Sequence, residues 1–100
     1  MLNLQKTIEN STATFALSGR LDTMTAPELE TALAEELPGI QELTLDFSEL
    51  DYISSAGLRV LLSAQKQMNK QGSMKLTGVN ETIMEIFEVT GFSDILTIEA

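Results

Sequence analysis

The chain has 100 residues, of which 43% are hydrophobic and 21% charged, so it is long enough for one domain with one core and too apolar to be disordered. It contains no cysteine and no histidine, which excludes disulfides, thiol nucleophiles and the side chain most often used as a general acid or base near neutral pH. Fifteen acidic against six basic residues give a net charge of -9, and because so acidic a surface repels phosphate backbones, direct nucleic-acid binding is not expected.

The N-terminal residues predict a β-hairpin. Apolar and polar residues alternate from the start of the chain and again after Glu9-Asn10-Ser11, and the apolar positions are Leu2, Leu4, Ile8, Ala13, Phe15 and Leu17. An alternating start is typical of a strand and not of a signal peptide, and no apolar run approaches the roughly 20 residues that a membrane span requires. We therefore expect a cytoplasmic protein without membrane insertion.

A helix and a strand follow the hairpin. Thr25-Ala26-Pro27-Glu28 combines three signals of a helix start, namely a threonine cap, a proline in the first turn and a glutamate three residues after the cap. Leucines recur every four residues from Leu29 to Leu37, and Pro38-Gly39 ends the helix. Residues 42–47 alternate again, which predicts a strand with one face more polar than the other.

The second half of the chain adds two more helices. A helical run covers about residues 56–70, a short strand follows at 74–76, a third helix begins at Asn80 and ends at Gly91, and residues 95–98 resemble a final strand. The predicted order is β-β-α-β-α-β-α-β. It favours a single α/β domain over the whole chain, with a mixed, largely parallel β-sheet and helices packed against it.

Two serines stand at the start of the second helix. Serine is a preferred N-cap residue, so capping is the simplest role for Ser54 and Ser55. One cap needs only one hydroxyl, however, and Gly57 in the first turn costs about 1 kcal/mol relative to alanine. That cost indicates a close approach of the backbone to another group, and it makes Ser55 a candidate functional residue.

The second helix is the basic part of an acidic chain. No acidic residue occurs between positions 55 and 72, and at about 100° per residue three basic residues share a side with Ser55, namely Arg59, Lys66 and Lys70. The opposite side, which can face the sheet, carries Val60, Leu61, Ala64 and Met68. Leu62 lies among the basic residues with Leu58 beside it. From spacing alone, this basic side is either a contact surface or a solvated helix face.

A phosphate on Ser55 would suit the start of a helix. It would add about -1.5 to -2 charges where the helix dipole and the free N–H groups favour an anion, and Arg59 lies one turn away. A partner packed over the same point would have to remove water from that charge. We therefore expect phosphorylation to release a partner without unfolding the domain.

Four segments of the chain form a specific combination. They are Gly19-Arg20-Leu21-Asp22, Thr25-Ala26-Pro27, Leu45-Asp46-Phe47 and Asp51-Tyr52-Ile53-Ser54-Ser55-Ala56-Gly57-Leu58. Together they resemble the STAS family, and in particular its bacterial anti-sigma factor antagonists. The resemblance covers essentially the whole chain and agrees with the predicted order of elements.

The resemblance implies a cycle of partner switching. The unmodified antagonist binds an anti-sigma factor, usually also a serine kinase of the histidine-kinase-like ATPase fold, and frees the sigma factor; the kinase phosphorylates the antagonist and a phosphatase restores it. The family's phosphoacceptor stands two residues before the junction glycine, which is Ser55 here, and the acidic position after Gly-x-Leu is Asp22. The predicted partner surface comprises Asp22, Ser54, Ala56, Gly57, Leu58, Arg59, Leu62 and Lys66, with Met84 as a further candidate.

The chain departs from the family pattern at one position. Many members carry aspartate immediately before the phosphoacceptor, where this sequence has Ser54, so Ser54 is a rival acceptor. Other STAS domains are constitutive subunits of lipid-trafficking transport systems in membranes, or cytoplasmic parts of anion transporters. The subunit role therefore stays open as an alternative function.

Three other patterns are weaker. Ser63-Ala64-Gln65-Lys66 has the Ser-x-x-Lys spacing of some acyl-transfer enzymes but lacks their companion segments, which makes a serine hydrolase a distant third hypothesis. Asp46, Glu49 and Asp51 lack calcium-loop spacing and are interpreted as a strand residue followed by two loop residues. No glycine pattern of a nucleotide-binding loop occurs, so we expect neither a cofactor nor a metal, and a binding protein in place of an enzyme.

Overall fold

The computed structural model describes residues 2–99 of the chain. They form a sheet, three α-helices and a 3-10 turn, in the order β1 (Leu2–Glu9), β2 (Thr12–Leu21), α1 (Ala26–Glu36), β3 (Glu42–Ile53), α2 (Ser55–Gln71), β4 (Ser73–Thr77), α3 (Glu81–Thr90) and the turn Phe92–Asp94. The strand order is β1-β2-β3-β4, with β1 antiparallel to β2 and with β2, β3 and β4 mutually parallel. The predicted α/β class and the mixed, largely parallel sheet are confirmed.

The last predicted β-segment pairs with the sheet at a single position. Ile98 forms a parallel bridge with Leu76 of β4. Two backbone hydrogen bonds hold it: the Leu76 N–H donates to the Thr97 carbonyl at 2.9 Å, and the Glu99 N–H donates to the Leu76 carbonyl at 2.8 Å. Residues 92–94 are occupied by the 3-10 turn, so within the described residues the chain has little length left for pairing.

One face of the sheet is apolar, and the helices cover it. The residues buried on that face alternate along three strands as their spacing predicts, and they are Ala13, Phe15, Leu17, Leu43, Leu45, Phe47, Met74 and Leu76. The predicted inner side of α2 is confirmed, because Val60, Leu61, Ala64 and Met68 are all buried. On α3 the buried ring of Phe87 lies 6.4 Å from that of Phe47, centroid to centroid. Strands and helices therefore share one core.

Asn80 begins α3 and Gly91 ends it, as predicted. The Asn80 carboxamide oxygen accepts the Ile83 N–H at 2.9 Å, and the Asn80 amide group donates to the Leu50 carbonyl at 2.9 Å, so this predicted cap also fastens α3 to β3. Gly91 ends α3 in the left-handed region at φ 82°. Among residues 2–99, none of the helices is long and apolar enough to cross a membrane.

β3 extends well beyond β4. The last residue of β4 pairs with Asp46, whereas β3 continues to Ile53, which pairs with Leu21 at the end of β2. Two register shifts in the β2–β3 ladder accompany this extension. Glu49 and Asp51 therefore lie inside β3, and their interpretation as loop residues is wrong, because continued pairing with β2 keeps this segment in the sheet.

Candidate functional site

The carboxyl ends of β2 and β3 meet at one edge of the sheet. Leu21 and Ile53 pair there, and the Ser54 N–H donates a hydrogen bond to the Leu21 carbonyl at 2.8 Å. The β2–α1 connection and the start of α2 are thereby held side by side. Binding sites of parallel sheets commonly lie at this edge. The predicted site residues Asp22 and Ser55, which are distant in sequence, both belong to it.

The two serines of the junction have different environments. Ser54 is the N-cap of α2: its backbone is extended, its hydroxyl oxygen accepts the Gly57 N–H at 3.4 Å, and its carbonyl accepts the Leu58 N–H at 2.9 Å. Ser55 is the first residue of the helix, is exposed, and its hydroxyl forms no hydrogen bond with any described residue. One serine is therefore used by the fold, and the other is free at a helix N-terminus.

Gly57 allows the first turn of α2 to pack closely against the sheet. A Cβ at this position would lie 2.8 Å from Cγ of Leu21 and 2.9 Å from Cγ1 of Ile53, which is closer than side chains tolerate. The close approach that the glycine predicts is therefore present, and the groups approached are the chain's own strand ends. Gly57 is itself buried, so its effect on a partner site is to set the position of Ser55.

The close packing at Gly57 also changes the role predicted for Leu58. Leu58 is only 6% exposed and belongs to the core, so it offers little surface to a partner. The expectation of an exposed Leu58–Leu62 pair is thus corrected to Leu62, which is partly exposed, with Ala56 also partly exposed at the start of the helix. The helical angle alone did not reveal this, because it does not report how deeply the first turn sits on the strand ends.

The basic face of α2, defined here as Arg59, Lys66 and Lys70, is exposed along the helix. The ion pairs found among residues 2–99 involve other cations, namely Lys6 with Glu36, Arg20 with Asp22 and Lys75 with Glu99. No carboxylate of the described residues therefore lies within ion-pair distance of the basic face. Its three positive charges stay available to an acidic surface.

Asp22 organises the β2–α1 connection. Its Oδ1 accepts the N–H groups of Met24 and Thr25, both at 3.0 Å, and its other oxygen, Oδ2, lies 3.8 Å from Nε of Arg20. Desolvation acts to raise the pKa of this carboxyl, but the backbone and hydroxyl bonds from Thr25, the backbone bond from Met24 and the charge of Arg20 together bring the pKa below its usual value of 3.8. Asp22 is therefore an anion whose Oδ1 binds the backbone of the connection and whose Oδ2 faces Arg20.

The capping role predicted for the Thr25 hydroxyl is wrong. Thr25 does precede α1, but its side chain forms no capping hydrogen bond; the hydroxyl donates to the Arg20 carbonyl at 2.8 Å and accepts the Asp22 N–H at 2.9 Å. The Asp22 carboxylate binds the N–H groups of Met24 and Thr25, which precede α1, and only its backbone carbonyl reaches the helix, where it accepts the Ala26 N–H at 2.8 Å. The first turn of α1 therefore has no side-chain cap, because the Thr25 hydroxyl is used by the β2–α1 connection.

Sequence reasoning assigned no site role to three residues at this edge, namely Arg20, Tyr52 and Met24. The Arg20 guanidinium lies 4.3 Å from the centre of the Tyr52 ring, a cation–π contact across the register pair Arg20 and Tyr52. Met24, in the β2–α1 connection, is 84% exposed. An exposed methionine in a loop has no periodicity to reveal it, whereas the Arg20–Tyr52 contact requires the strand register.

A shallow groove of about 190 Å³ joins the two halves of the site. From the β2–α1 side it is lined by Thr23, Pro27 and Glu30, and from α2 by Ala56, Arg59 and Val60. The predicted site residues Ala56 and Arg59 thus share a surface with the connection that Asp22 organises. We call the groove together with Ser55, Leu62 and Lys66 the α2 surface.

The two weaker patterns begin at Asp46 and at Ser63, and both of these residues lie outside the Ser55 edge. Among residues 2–99 no group of three or more side chains of metal-ligating type occurs. Asp46 accepts the Ser48 N–H at 2.9 Å and pairs with Thr77, seven positions before Ile53 along β3, so it lies away from the Ser55 edge. Ser63 and Lys66 are both exposed on α2.

Comparison with known proteins provides a family and its relatives. The family model described as Mlab, STAS domain matches residues 4–97 of the chain. BtrV of Bordetella bronchiseptica, which is provisionally named an anti-sigma factor antagonist, is 39% identical over 84 residues, covering 82% of this chain and 72% of BtrV. An anti-sigma-B factor antagonist of Listeria monocytogenes is 34% identical over 87 residues, covering 83% of this chain and 75% of the relative.

A solved structure shares the fold. The Bacillus cell fate determinant SpoIIAA in its phosphorylated form superposes with a TM-score of 0.74, covering 100% of this chain and 92% of SpoIIAA. The two sequences are 16% identical, so the likeness concerns the fold alone.

Proposed function

Since the chain belongs to the STAS family, we propose that it is an anti-sigma factor antagonist whose partner binding is switched off by phosphorylation of Ser55. In the unmodified state it binds an anti-sigma factor, which is also a serine kinase, and so frees the sigma factor. The observation that carries the proposal is the division between the serines: Ser54 caps α2, whereas the Ser55 hydroxyl is exposed and without an internal partner among the described residues. The chain is a binding protein, and nucleotide belongs to its kinase.

The start of α2 suits a phosphorylated Ser55. The first N–H groups of a helix lack intrahelical partners and favour an anion, and the exposed Arg59 one turn later supplies a positive charge without an ion-pair partner among residues 2–99. Because no internal bond of Ser55 is lost on modification, the domain keeps its fold. A phosphatase then restores the binding form.

Phosphorylation acts on the partner through desolvation. A partner packed over Ser55 would have to strip water from a group of about -2 charge, and a penalty of only about 3 kcal/mol weakens binding more than a hundredfold, because about 1.4 kcal/mol corresponds to a factor of ten. The rest of the α2 surface carries the cations Arg59 and Lys66, the carboxylate of Glu30 and apolar side chains. We therefore propose an acidic surface on the anti-sigma factor, opposite Arg59 and Lys66, with Asp22 also contacting the partner.

Ser54 is the less suitable acceptor. Its hydroxyl oxygen binds the Gly57 N–H, and it is partly buried beside the strand ends. A phosphate there would be attached to the capping oxygen itself and would place its charge and bulk against the closely packed first turn. Ser55 therefore remains the proposed target. Because Ser54 stands where many family members carry aspartate, we propose that the kinase recognises a different side chain before the acceptor.

A constitutive subunit role in a lipid-trafficking transport system is the alternative. The matching family model describes an STAS domain, which fits both roles, whereas the named relatives are anti-sigma factor antagonists and favour the switch. The alternative predicts a transporter ATPase as the bound protein and no effect of charge at Ser55. Co-purification therefore separates the two functions.

The test is a pull-down from the native cell extract with four baits: wild type, Ser55→Ala, Ser55→Asp and Ser63→Asp. Ser63→Asp is the charge control: Ser63 is exposed on the same helix, between Arg59 and Lys66 and two turns after Ser55, so the variant reports the effect of a negative charge on the basic face without one at the helix N-terminus. We expect wild type, Ser55→Ala and Ser63→Asp to retain an anti-sigma kinase and Ser55→Asp to lose it, and mass spectrometry of the native protein to find phosphate on Ser55. Equal recovery of a transporter ATPase by all four baits would instead support the subunit role.

A further inference from the structure

Met24 is the most unusual exposed side chain near the site. It is 84% exposed, whereas Met68 and Met74 are fully buried in the core. A single exposed apolar residue is common in soluble proteins and by itself indicates nothing. Two further observations distinguish Met24, namely the rigidity of its loop and the groove that begins beside it.

The loop that carries Met24 is held in one conformation. The Met24 N–H donates to Oδ1 of Asp22 at 3.0 Å, and the next residue, Thr25, is 6% exposed and donates its hydroxyl to the Arg20 carbonyl. The Asp22 carbonyl also accepts the Ala26 N–H, which connects the loop to α1. When a partner covers Met24, the backbone of this loop therefore loses little conformational entropy, and the entropy cost is confined to ordering the methionine side chain.

The groove lies between the sequence neighbours of Met24 and of Ser55, although neither of these two residues lines it. Thr23, which precedes Met24, lines the same groove as Ala56, which follows Ser55. A partner that covers Ser55 closely enough to be expelled by a phosphate therefore also reaches the β2–α1 connection. Methionine is a frequent anchor at protein interfaces because its unbranched thioether adapts to irregular apolar pockets.

From these observations we infer that Met24 is an apolar anchor of the anti-sigma factor interface and inserts into an apolar pocket of that protein, next to the acidic surface opposite Arg59. The inference rests on the proposed function, since it takes the same partner. It adds to the α2 surface a residue from a different element. Ser55 then controls whether the partner can approach, and Met24 supplies apolar binding energy once it has.

Val89 provides a matched control within the same chain. It is 88% exposed, as large an exposure as that of Met24, but it lies on α3 beside Glu85, Ile86 and Thr90. α3 packs against β3 and the 3-10 turn and does not line the groove. Truncation of Val89 therefore measures the effect of losing an exposed apolar side chain outside the proposed interface.

The experiment uses the purified anti-sigma factor that wild type retains and Ser55→Asp loses in the pull-down. Methionine oxidation by peroxide is followed by mass spectrometry, free and in the saturated complex, and affinities are measured for Met24→Ala and Val89→Ala. We expect Met24 to oxidise readily in the free chain and at least about tenfold more slowly in the complex. Met24→Ala should bind about tenfold or more weakly, while Val89→Ala binds as wild type does.

The experiments distinguish a wrong assignment of Met24 from a wrong proposed function. If Ser55→Asp abolishes binding but Met24 oxidises equally fast in both states and Met24→Ala matches Val89→Ala, the anchor is refuted and the switch stands. If wild type retains no anti-sigma factor, both are refuted. Should Met24→Ala lower the Tm, the protection of Met24 in the unaltered chain decides the question alone.

Discussion

Replacing the two junction serines separately distinguishes the cap from the switch. Ser54→Ala removes the acceptor of the Gly57 N–H, a bond of 3.4 Å, so the loss falls at the low end for a cap, about 0.5–1 kcal/mol, or about 2–8 °C in Tm for a domain of this size. Ser55→Ala removes a hydroxyl with no internal partner among the described residues and should leave the Tm unchanged. Ser55→Asp places a negative charge at the helix N-terminus and should raise stability slightly, by about 0.3–1 kcal/mol.

Binding should show the opposite order. Ser54→Ala and Ser55→Ala retain the neutral surface and should keep affinity for the anti-sigma factor within a few-fold, whereas Ser55→Asp should weaken it strongly, toward the hundredfold or more estimated for phosphoserine. Thermal denaturation gives the stabilities, and titration calorimetry with the purified partner gives the affinities. Ser63→Asp controls for added charge on α2 and should weaken affinity only a few-fold, because it offsets part of the basic face without placing a charge at the start of the helix.

Two outcomes would refute this assignment. A large fall in Tm for Ser55→Asp, with a small one for Ser54→Ala, would mean that Ser55 is the structural serine and that the cap is misassigned. Equal affinities of wild type, Ser55→Asp and Ser63→Asp for the partner would mean that the start of α2 is not covered in the complex. Stability decides which serine is the cap, and affinity decides where the partner lies.

Three further predictions concern the fold and the Asp22 carboxylate. Gly72→Ala should lower the free energy of unfolding by at least about 2 kcal/mol in a denaturant titration, because a Cβ there would overlap the backbone carbonyl of Gln41; an unchanged midpoint would contradict this. Gln65→Met should raise the free energy of unfolding by about 1 kcal/mol, because Gln65 is 5% exposed and its Oε1 has no hydrogen-bond partner among the described residues; a lower Tm in calorimetry would argue against it. The lowered pKa of Asp22 means that its ionised form contributes stability that is complete above 3.8 and lost as the pH falls through the folded-state value below 3.8. The stability difference between wild type and Asp22→Asn should therefore shrink between about pH 6 and about pH 3, and a constant difference would show that the charge of Asp22 is not involved.

The sequence predicted the order of elements because its signals were local. Strands appeared as alternation that ended in turns, and α3 was bounded by Asn80 and Gly91, which do cap and end it. The prediction was incomplete where pairing decides the outcome. β3 extends to Ile53 because β2 remains beside it, and Ile98 forms an isolated bridge with Leu76 after the 3-10 turn. Neither fact follows from local pattern.

The sequence predicted which residues lie at the site, but not which of them serve the fold and which are exposed. Ser54 and Ser55 are equivalent as cap residues in sequence, and the hydrogen bond from the Gly57 N–H distinguishes them. Leu58 has a helical angle close to that of Leu62, yet it is buried, because the glycine next to it brings the first turn onto the strand ends. Which serine caps the helix and which leucine is buried depend on how closely α2 approaches the strand ends. The spacing of apolar residues in the sequence does not contain that distance.

The proposed switch at Ser55 would change binding and leave the fold of the domain as it is. The groups that hold the edge together are engaged within the chain: Ser54 caps α2, Gly57 packs on the strand ends, and Oδ1 of Asp22 fixes the β2–α1 connection. Ser55 belongs to none of these contacts, so a phosphate alters only the surface. In a chain of net charge -9, that phosphate would also offset the basic face of α2 at Arg59. An acidic partner selected by this face would therefore lose its attraction at the same point where it meets the desolvation penalty.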